Sequence, residues 1–134
     1  MSLDPLLNAP PVIQLHAFAA MAALVLGIVQ FVAPKGTLPH RTIGWIWAVL
    51  LLSIAISSFW IHGKSSRMIG VWSPIHLLSI SVLFTVPMAL LAAHRHNVRT
   101  HRIAMISIFT GALVIAGLFT FVPGRIMHAV AFGP

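Results

Sequence analysis

The chain has 134 residues, of which 59% are hydrophobic and only 7% are charged, a balance that excludes a water-soluble globular domain. The chain has eight lysines and arginines and one acidic residue. These basic residues lie at the ends of apolar runs, where anionic lipid headgroups and membrane topology explain them better than binding to nucleic acid does. Cysteine is absent, which excludes disulfides, iron–sulfur clusters and thiolate-bound metals, so any metal would have to be bound by histidine.

Four apolar stretches follow one another along the chain. Each holds about 20 residues, enough to cross a hydrocarbon core of about 30 Å. They account for most of the sequence, so no separate soluble domain is expected. The sequence therefore predicts one all-α domain over residues 1–134, an integral membrane four-helix bundle with up-down topology. The predicted spans are residues 11–33, 42–61, 73–93 and 103–122.

The first predicted span begins at Pro10 and Pro11, as helices often begin with proline, and carries His16 about one turn inside. Small residues dominate this helix and would let another helix or a flat cofactor approach its backbone closely. No basic residue precedes the span, and no cleavage site of small residues leads into a mature domain. We therefore expect the first span to be retained and not removed as a signal peptide.

The second predicted span opens with His40 and Arg41, and Gly44 follows one turn later. Tryptophans near both ends of this span are typical of the aromatic belts that lie at membrane interfaces. The loop that follows, residues 62–72, is too polar to lie in hydrocarbon. The tryptophans assigned to the belt are Trp45, Trp47 and Trp60.

The third predicted span begins with Ser73 as N-cap and Pro74 as first helical residue, which places His76 in its first turn. The next turn, residues 94–102, is the most polar segment of the chain and is strongly basic. Within it, Thr100 is a candidate cap for the fourth helix.

The two halves of the chain resemble each other. A histidine–arginine pair opens the second span, and another pair opens the fourth span 61 residues later. A single histidine also opens each span that precedes such a pair. The pattern predicts a weak 2+2 repeat with a pseudo-twofold axis along the membrane normal. The repeated residues are His40-Arg41 and His101-Arg102, preceded by His16 and His76.

The short loops carry unequal numbers of basic residues. The side that holds the first and third turns has five lysines and arginines, and the other side has three. The positive-inside rule then places both His-Arg turns in the cytoplasm and both termini outside. The five are Lys35, Arg41, Arg95, Arg99 and Arg102, and the three are Lys64, Arg67 and Arg125.

The four histidines fall into two pairs in such a bundle. Spans one and three run in the same direction, so His16 and His76 share one depth; spans two and four place His40 and His101 at another. With neighbouring axes about 8 to 10 Å apart, the diagonal is roughly 12 to 14 Å, which two imidazoles can bridge with a haem iron between them. Neutral imidazole is a good iron ligand, so the layout is that of a di-haem b-type cytochrome. The cations that could pair with haem propionates are Arg41, Arg102, Arg125 and Lys64.

Other roles stay open for these histidines. All four lie within about a turn of a helix end, where an imidazole reaches water or headgroups at little cost, so they could be structural or lipid-binding without any cofactor. Quinone handling without a metal needs a polar donor at the edge of an apolar cleft, and His16 or His76 would serve. Transport is weaker because no span is charged near its middle. Hydrolysis is weaker still because Asp4 is the only carboxylate side chain.

A set of short motifs runs along the chain in a fixed order: Leu15-His16, Lys35-Gly36, His40-Arg41 with Ile43-Gly44, His76, Val98-Arg99 with His101-Arg102, and Pro123-Gly124-Arg125. In order and spacing these motifs resemble a family of small bacterial four-helix membrane proteins, domain of unknown function 2306 (DUF2306). The resemblance covers nearly the whole chain and implies a four-helix fold in a bacterial inner membrane, with no activity assigned. A looser similarity links the paired histidines to b561-type di-haem cytochromes, which place two histidines on each of two helices.

These observations predict a small polytopic subunit or accessory protein of a membrane redox assembly, for electron transfer or quinone, which binds haem b through the paired histidines or lines a quinone path. The rival prediction is a structural, lipid-binding membrane subunit without a cofactor that packs against a larger complex. We do not expect an enzyme that acts alone. The expected partners are membrane lipids and either other membrane subunits or further copies of this chain, and not nucleic acid.

Overall fold

The structure is a computed structural model that describes residues 1–61 and 73–134. These residues form helices joined by turns, and four of the helices are long and apolar enough to cross a membrane, which confirms the predicted all-α membrane bundle. The polar loop at residues 62–72, with Lys64, lies outside the described residues. The helices are α1 Asp4–Leu7, α2 Pro11–Val32, α3 Leu38–Ser58, α4 Pro74–His94, α5 Val98–Phe119 and α6 Ile126–Phe132.

Short polar side chains and prolines set the helix starts. Thr37 caps α3 by accepting the backbone N–H of His40 at 3.3 Å, so this helix begins at Leu38 and not at residue 42. A proline in the first turn is compatible with that start because the first N–H groups of a helix have no partner within it. At the start of α4, Ser73 is the N-cap and Pro74 the first helical residue, as predicted.

The fourth span also begins earlier than predicted. Asn97 accepts the backbone N–H of Thr100 at 3.2 Å, so the N-cap is Asn97 and not Thr100. Asparagine is among the strongest N-cap residues, and His96, at a φ of 58°, turns the chain directly before it. The last part of the basic turn is therefore helical, and His101 lies one turn inside α5.

The four spans close into a bundle. Each packs against the next in chain order, and the middle of α5 returns to pack against α2. As a result α2 and α4 lie on one diagonal of the bundle, and α3 and α5 lie on the other. Apolar side chains from all four spans fill the interior as one core cluster. Its buried members are Ala23, Trp47, Ala48, Leu51, Ala55, Val82, Val86, Ile108 and Leu113.

The contact of α2 with α3 and α5 is close because α2 has a glycine there. A Cβ added to Gly27 would lie 2.6 Å from the ring of Phe109. That ring also meets the ring of Phe31 edge-on, with centroids 4.9 Å apart. From Phe109 to Ile115, α5 continues as a π-helix, an irregularity that often marks a site under special packing or functional constraint.

One tryptophan assignment was wrong. Trp45 and Trp60 are well exposed, as residues of an interfacial belt should be, but Trp47 is only 5% exposed. Its indole N–H donates to the carbonyl oxygen of Ala23 at 2.8 Å, so it ties α3 to α2 inside the core. A buried tryptophan needs such an acceptor, and a backbone carbonyl cannot be recognised from the spacing of tryptophans.

Two short helices cover one end of the bundle. Helix α1 packs against α6 and against the start of α2. The backbone N–H of Ser2 donates to the carbonyl oxygen of Val130 at 3.1 Å, and Leu6 between them is fully buried. The described parts of both chain termini therefore meet at the end of the bundle that carries His16.

Candidate functional site

The structure places the predicted histidines at two opposite ends of the bundle. His16 near the start of α2 and His76 at the start of α4 lie at one end, next to the last turn of α3. His40 at the start of α3 and His101 near the start of α5 lie at the other end, close enough for their charges to interact. Among the described residues, no group of three or more metal-binding side chains comes together.

Buried hydroxyl groups and imidazoles connect α2, α3 and α4 at the first of these ends. His16 Nδ1 lies 2.9 Å from Ser57 Oγ, and Ser58 Oγ lies 2.6 Å from Ser79 Oγ. In the described part of the chain, all the buried polar residues belong to this group. We call it the histidine–serine cluster: His16, Ser57, Ser58, Ser79 and His76.

The hydrogen bonds in the cluster fix the tautomers of its two histidines. Ser57 donates its only hydroxyl hydrogen to the carbonyl oxygen of Ile54 at 3.0 Å, so its oxygen must accept Nδ1–H from His16. The backbone N–H of Ser73 donates to His76 Nδ1 at 3.1 Å, so neutral His76 carries its hydrogen on Nε2. The two rings are therefore opposite tautomers.

The opposite tautomers bear on the predicted haem site. An iron between two imidazoles needs a nitrogen lone pair from each ring. His16 can supply one from Nε2, whereas His76 would first have to give up the hydrogen bond that helps to cap α4. The last turn of α3 also lies beside both rings, with the Phe59 ring centroid 5.6 Å from that of His76. Haem ligation by this pair would therefore require rearrangement at the start of α4.

The serine pair in the cluster has more acceptors than hydrogens. Ser58 Oγ lies 2.7 Å from the carbonyl oxygen of Ala55, and Ser79 Oγ lies 2.9 Å from that of Ile75. Together with the contact between the two hydroxyls, that makes three short contacts for two hydroxyl hydrogens. Both hydrogens can therefore be used within the protein, which favours a structural role in joining α3 to α4.

A structural role for the cluster predicts energetic coupling between His16 and Ser57. Replacing Ser57 with alanine should lower the free energy of unfolding by about 1 kcal/mol, because His16 then loses its hydrogen bond with the Ser57 hydroxyl. A double-mutant cycle with His16→Ala, measured by unfolding in mixed micelles, should give a coupling of about 0.6 kcal/mol or more. Ser53→Ala is the matched control, since the Ser53 hydroxyl donates to the Val49 carbonyl oxygen of its own helix. Additive single-variant effects would contradict the role.

The opposite end of the bundle holds a polar contact that is not saturated. Gln30 Nε2 donates to the carbonyl oxygen of His40 at 2.8 Å, and Gly44 leaves room for this amide, since a Cβ there would lie 3.2 Å from Gln30 Nε2. Gln30 Oε1 and His40 Nδ1 are buried and, within residues 1–61 and 73–134, have no hydrogen-bond partner. We call Gln30 and His40 the glutamine–histidine site.

Unpartnered buried atoms of this kind need a physical explanation. Leaving a buried donor or acceptor unsatisfied costs about 1–3 kcal/mol, and native structures contain few such groups. Both side chains are only partly buried as a whole, although these two atoms themselves are not exposed. A polar group that reached either atom would satisfy it.

The surroundings of the glutamine–histidine site are cationic. His40 is within electrostatic reach of Lys35 and His101. Lys35 itself donates to carbonyl oxygens at the end of α2, that of Phe31 at 2.9 Å and that of the C-cap residue Ala33 at 2.8 Å. Its ammonium group therefore caps the negative end of the α2 dipole.

His101 has a defined tautomer as well. Its Nδ1 lies 2.9 Å from the carbonyl oxygen of Ala89. A carbonyl only accepts, so Nδ1 carries the hydrogen and Nε2 holds a lone pair. The predicted propionate partners are exposed, with Arg41 and Arg102 at this end and Arg125 at the end that carries His16.

Sequence reasoning did not single out Gln30. It could have been found as a lone amide near the end of the apolar run at residues 11–33, because a polar side chain in lipid needs a hydrogen-bond partner. The four histidines drew attention because they recur at matched spacing, and Gln30 has no counterpart at the matching position of the second half.

The model of a family described as "Predicted membrane protein (DUF2306)" matches the chain over residues 13–131. All four spans lie within the matched residues. No curated protein and no solved structure matches the chain. The looser similarity to b561-type cytochromes stays a prediction.

Proposed function

The chain belongs to DUF2306, a family of predicted membrane proteins, and we propose that it is a small subunit or accessory protein of a membrane redox assembly in which it binds quinone. The observation that carries the proposal is a pair of buried atoms at the glutamine–histidine site, Gln30 Oε1 and His40 Nδ1, which have no hydrogen-bond partner among the residues that the structure describes. They are an acceptor and a potential donor on adjacent helices, at a depth reached by the headgroup of a membrane-dissolved ligand.

Quinol chemistry matches these two atoms. A quinol hydroxyl can donate to the amide oxygen of Gln30 and accept from His40 Nδ1–H at the same time. A quinone carbonyl can only accept, so it would use the histidine alone and leave Gln30 Oε1 without a donor. The site should therefore bind the reduced ligand more tightly than the oxidised one, which suits delivery of quinol to a larger assembly.

The outer surface of α2 supports entry from the membrane. Apolar side chains next to Gln30 are exposed, among them Val29, Phe31 and Val32. An isoprenoid tail could lie along this face while the headgroup reaches between α2 and α3, with no aqueous channel required. The exposed apolar faces also suit further membrane subunits or a second copy of the chain as neighbours.

We place the glutamine–histidine site and both His-Arg turns on the cytoplasmic side of a bacterial inner membrane, with the termini outside, because the basic residues favour that orientation. Haem b is the second candidate cofactor, and one observation favours it. His101 donates Nδ1–H to a backbone carbonyl, the arrangement that usually orients an imidazole for ligation through Nε2. His40 is the available partner across the bundle.

Quinone binding is tested by extracting and quantifying quinones from protein purified in mild detergent. Wild type should retain stoichiometric quinone, and binding of decylubiquinol should weaken about five- to tenfold in Gln30→Leu and in His40→Phe, because each loses a hydrogen bond. Gln14→Leu is the matched control. It removes an amide from the same helix, one that donates to the Leu7 and Ala9 carbonyl oxygens at the other end of the bundle.

An optical spectrum of the same preparation separates the remaining outcomes. A Soret band with sharp reduced α peaks, lost in His101→Ala, would show that the bound cofactor is haem b and not quinone. Two results together would overturn the redox proposal and favour the structural, lipid-binding subunit. The purified protein would carry neither quinone nor haem, and Gln30→Leu and Gln14→Leu would bind decylubiquinol equally well.

A further inference from the structure

The end of the bundle that carries His101 has positive charge without internal compensation. Arg95, Arg99 and Arg102 lie in or beside the turn that leads into α5, and all three are exposed. The only acidic side chain of the chain is Asp4. Its carboxylate accepts the Ser2 hydroxyl at 2.6 Å, at the opposite end of the bundle. Counter-charge for these arginines must therefore come from another molecule.

A cleft of about 380 Å³ lies at the start of α5 and combines this charge with an apolar surface. Arg99 and Arg102 are three residues apart on one helix, so their side chains project from neighbouring positions on one face. Val98 and Ile103, both well exposed, form the rest of the lining. A cleft with a cationic part and an apolar part matches an amphiphile with an anionic headgroup.

We propose that this cleft binds an anionic phospholipid, with the phosphodiester held by Arg99 and Arg102 and an acyl chain running along Ile103. Guanidinium groups bind phosphate oxygens through paired, charge-assisted hydrogen bonds. A choline headgroup carries its own cation, which partly cancels the attraction of the phosphate to the arginines. The position at the start of a span is the depth at which headgroups lie. Free phosphate would use the arginines but not the apolar part of the lining.

A neighbouring cleft offers a comparison within the chain. It has a volume of about 330 Å³ and contains a single arginine, Arg95, beside Met88 and Leu91. With one guanidinium in place of two, it should hold the same lipid less tightly. The inference concerns a surface separate from the glutamine–histidine site, so it stands or falls independently of the quinone proposal.

The test compares lipid retention by native mass spectrometry after titration with phosphatidylglycerol or phosphatidylcholine in mixed micelles. Wild type should bind phosphatidylglycerol about tenfold more tightly than phosphatidylcholine, and the double variant Arg99→Gln/Arg102→Gln should lose that preference. Arg125→Gln, an exposed arginine at the other end, is the matched control and should keep it, while Arg95→Gln should reduce it only slightly.

Three outcomes would overturn the inference. They are equal binding of both lipids by wild type, an unchanged preference in the double variant, and displacement of phosphatidylglycerol by millimolar inorganic phosphate, which would indicate a site for free phosphate. If the double variant does not fold, Arg99→Lys/Arg102→Lys keeps both charges but removes the paired hydrogen bonds. It should lower the preference partway, and an unchanged preference there would again contradict the proposal.

Discussion

Replacing Trp47 with alanine should lower the free energy of unfolding by about 3 kcal/mol, the largest loss we expect from one substitution. The side chain is almost fully buried among α2, α3 and α5 and donates to Ala23. Apolar burial itself contributes little in a bilayer, because lipid tails are as apolar as the core, so most of the loss comes from the cavity and the broken hydrogen bond. Thermal or detergent-induced unfolding in mixed micelles measures it.

Two variants make the Trp47 prediction specific. Trp45→Ala removes the same side chain two residues away, where it is 62% exposed, and should change stability by less than about 0.5 kcal/mol. Trp47→Phe keeps most of the ring and removes the N–H donor, so it should cost about 1 kcal/mol. Similar losses for Trp45→Ala and Trp47→Ala would show that Trp47 is not a core residue.

Replacing Gly27 with alanine should destabilise the bundle by about 1–3 kcal/mol, although alanine is the better helix former. The new Cβ would lie 2.6 Å from the Phe109 ring and 3.2 Å from the Trp47 indole nitrogen. Phe109 has little freedom to move because its ring also packs against Phe31. The helices α2 and α5 would have to separate, which unfolding in mixed micelles would record as a lower midpoint.

Gly117→Ala is the matched control for Gly27→Ala. Both residues are helical glycines in spans, but a Cβ at Gly117 would have no neighbour within 4 Å among residues 1–61 and 73–134. This variant should be neutral or stabilise the protein by up to about 1 kcal/mol. A Gly27→Ala protein as stable as the Gly117→Ala protein would contradict the close contact between α2 and α5.

The spans could be predicted because apolar runs of this length have few alternatives to crossing a membrane. Their starts were predictable where a proline follows a capping residue, as at Ser73 and Pro74, and less so where several caps compete. Asn97 and Thr100 are both good N-caps, and the choice between them depends on the turn through His96. The small residues of α2 predicted a close approach by another helix, and Gly27 is where it occurs, but the sequence did not identify Phe109 as the partner.

The positions of the histidines followed from their spacing, but their chemistry did not. Whether a ring donates or accepts depends on partners supplied by other helices or by the cap, such as Ser57 for His16 and the Ser73 backbone for His76. Gln30 was missed for a related reason. The amide of Gln30 matters because its oxygen is buried and has no partner in the described part of the chain. Burial of one atom is a property of the assembled bundle.

The π-helical stretch from Phe109 to Ile115 has a consequence for the far end of α5. Each π-helical turn takes in one more residue than an α-helical turn, so the side chains beyond it are rotated by roughly 100° about the helix axis. Before the stretch α5 packs on α4, and within it α5 reaches α2. If α5 were regular α-helix throughout, residues 116–119 and α6, which follows them, would lie at a different angle about that axis. Seven residues within α5 therefore determine where α6 meets α1 at the end of the bundle.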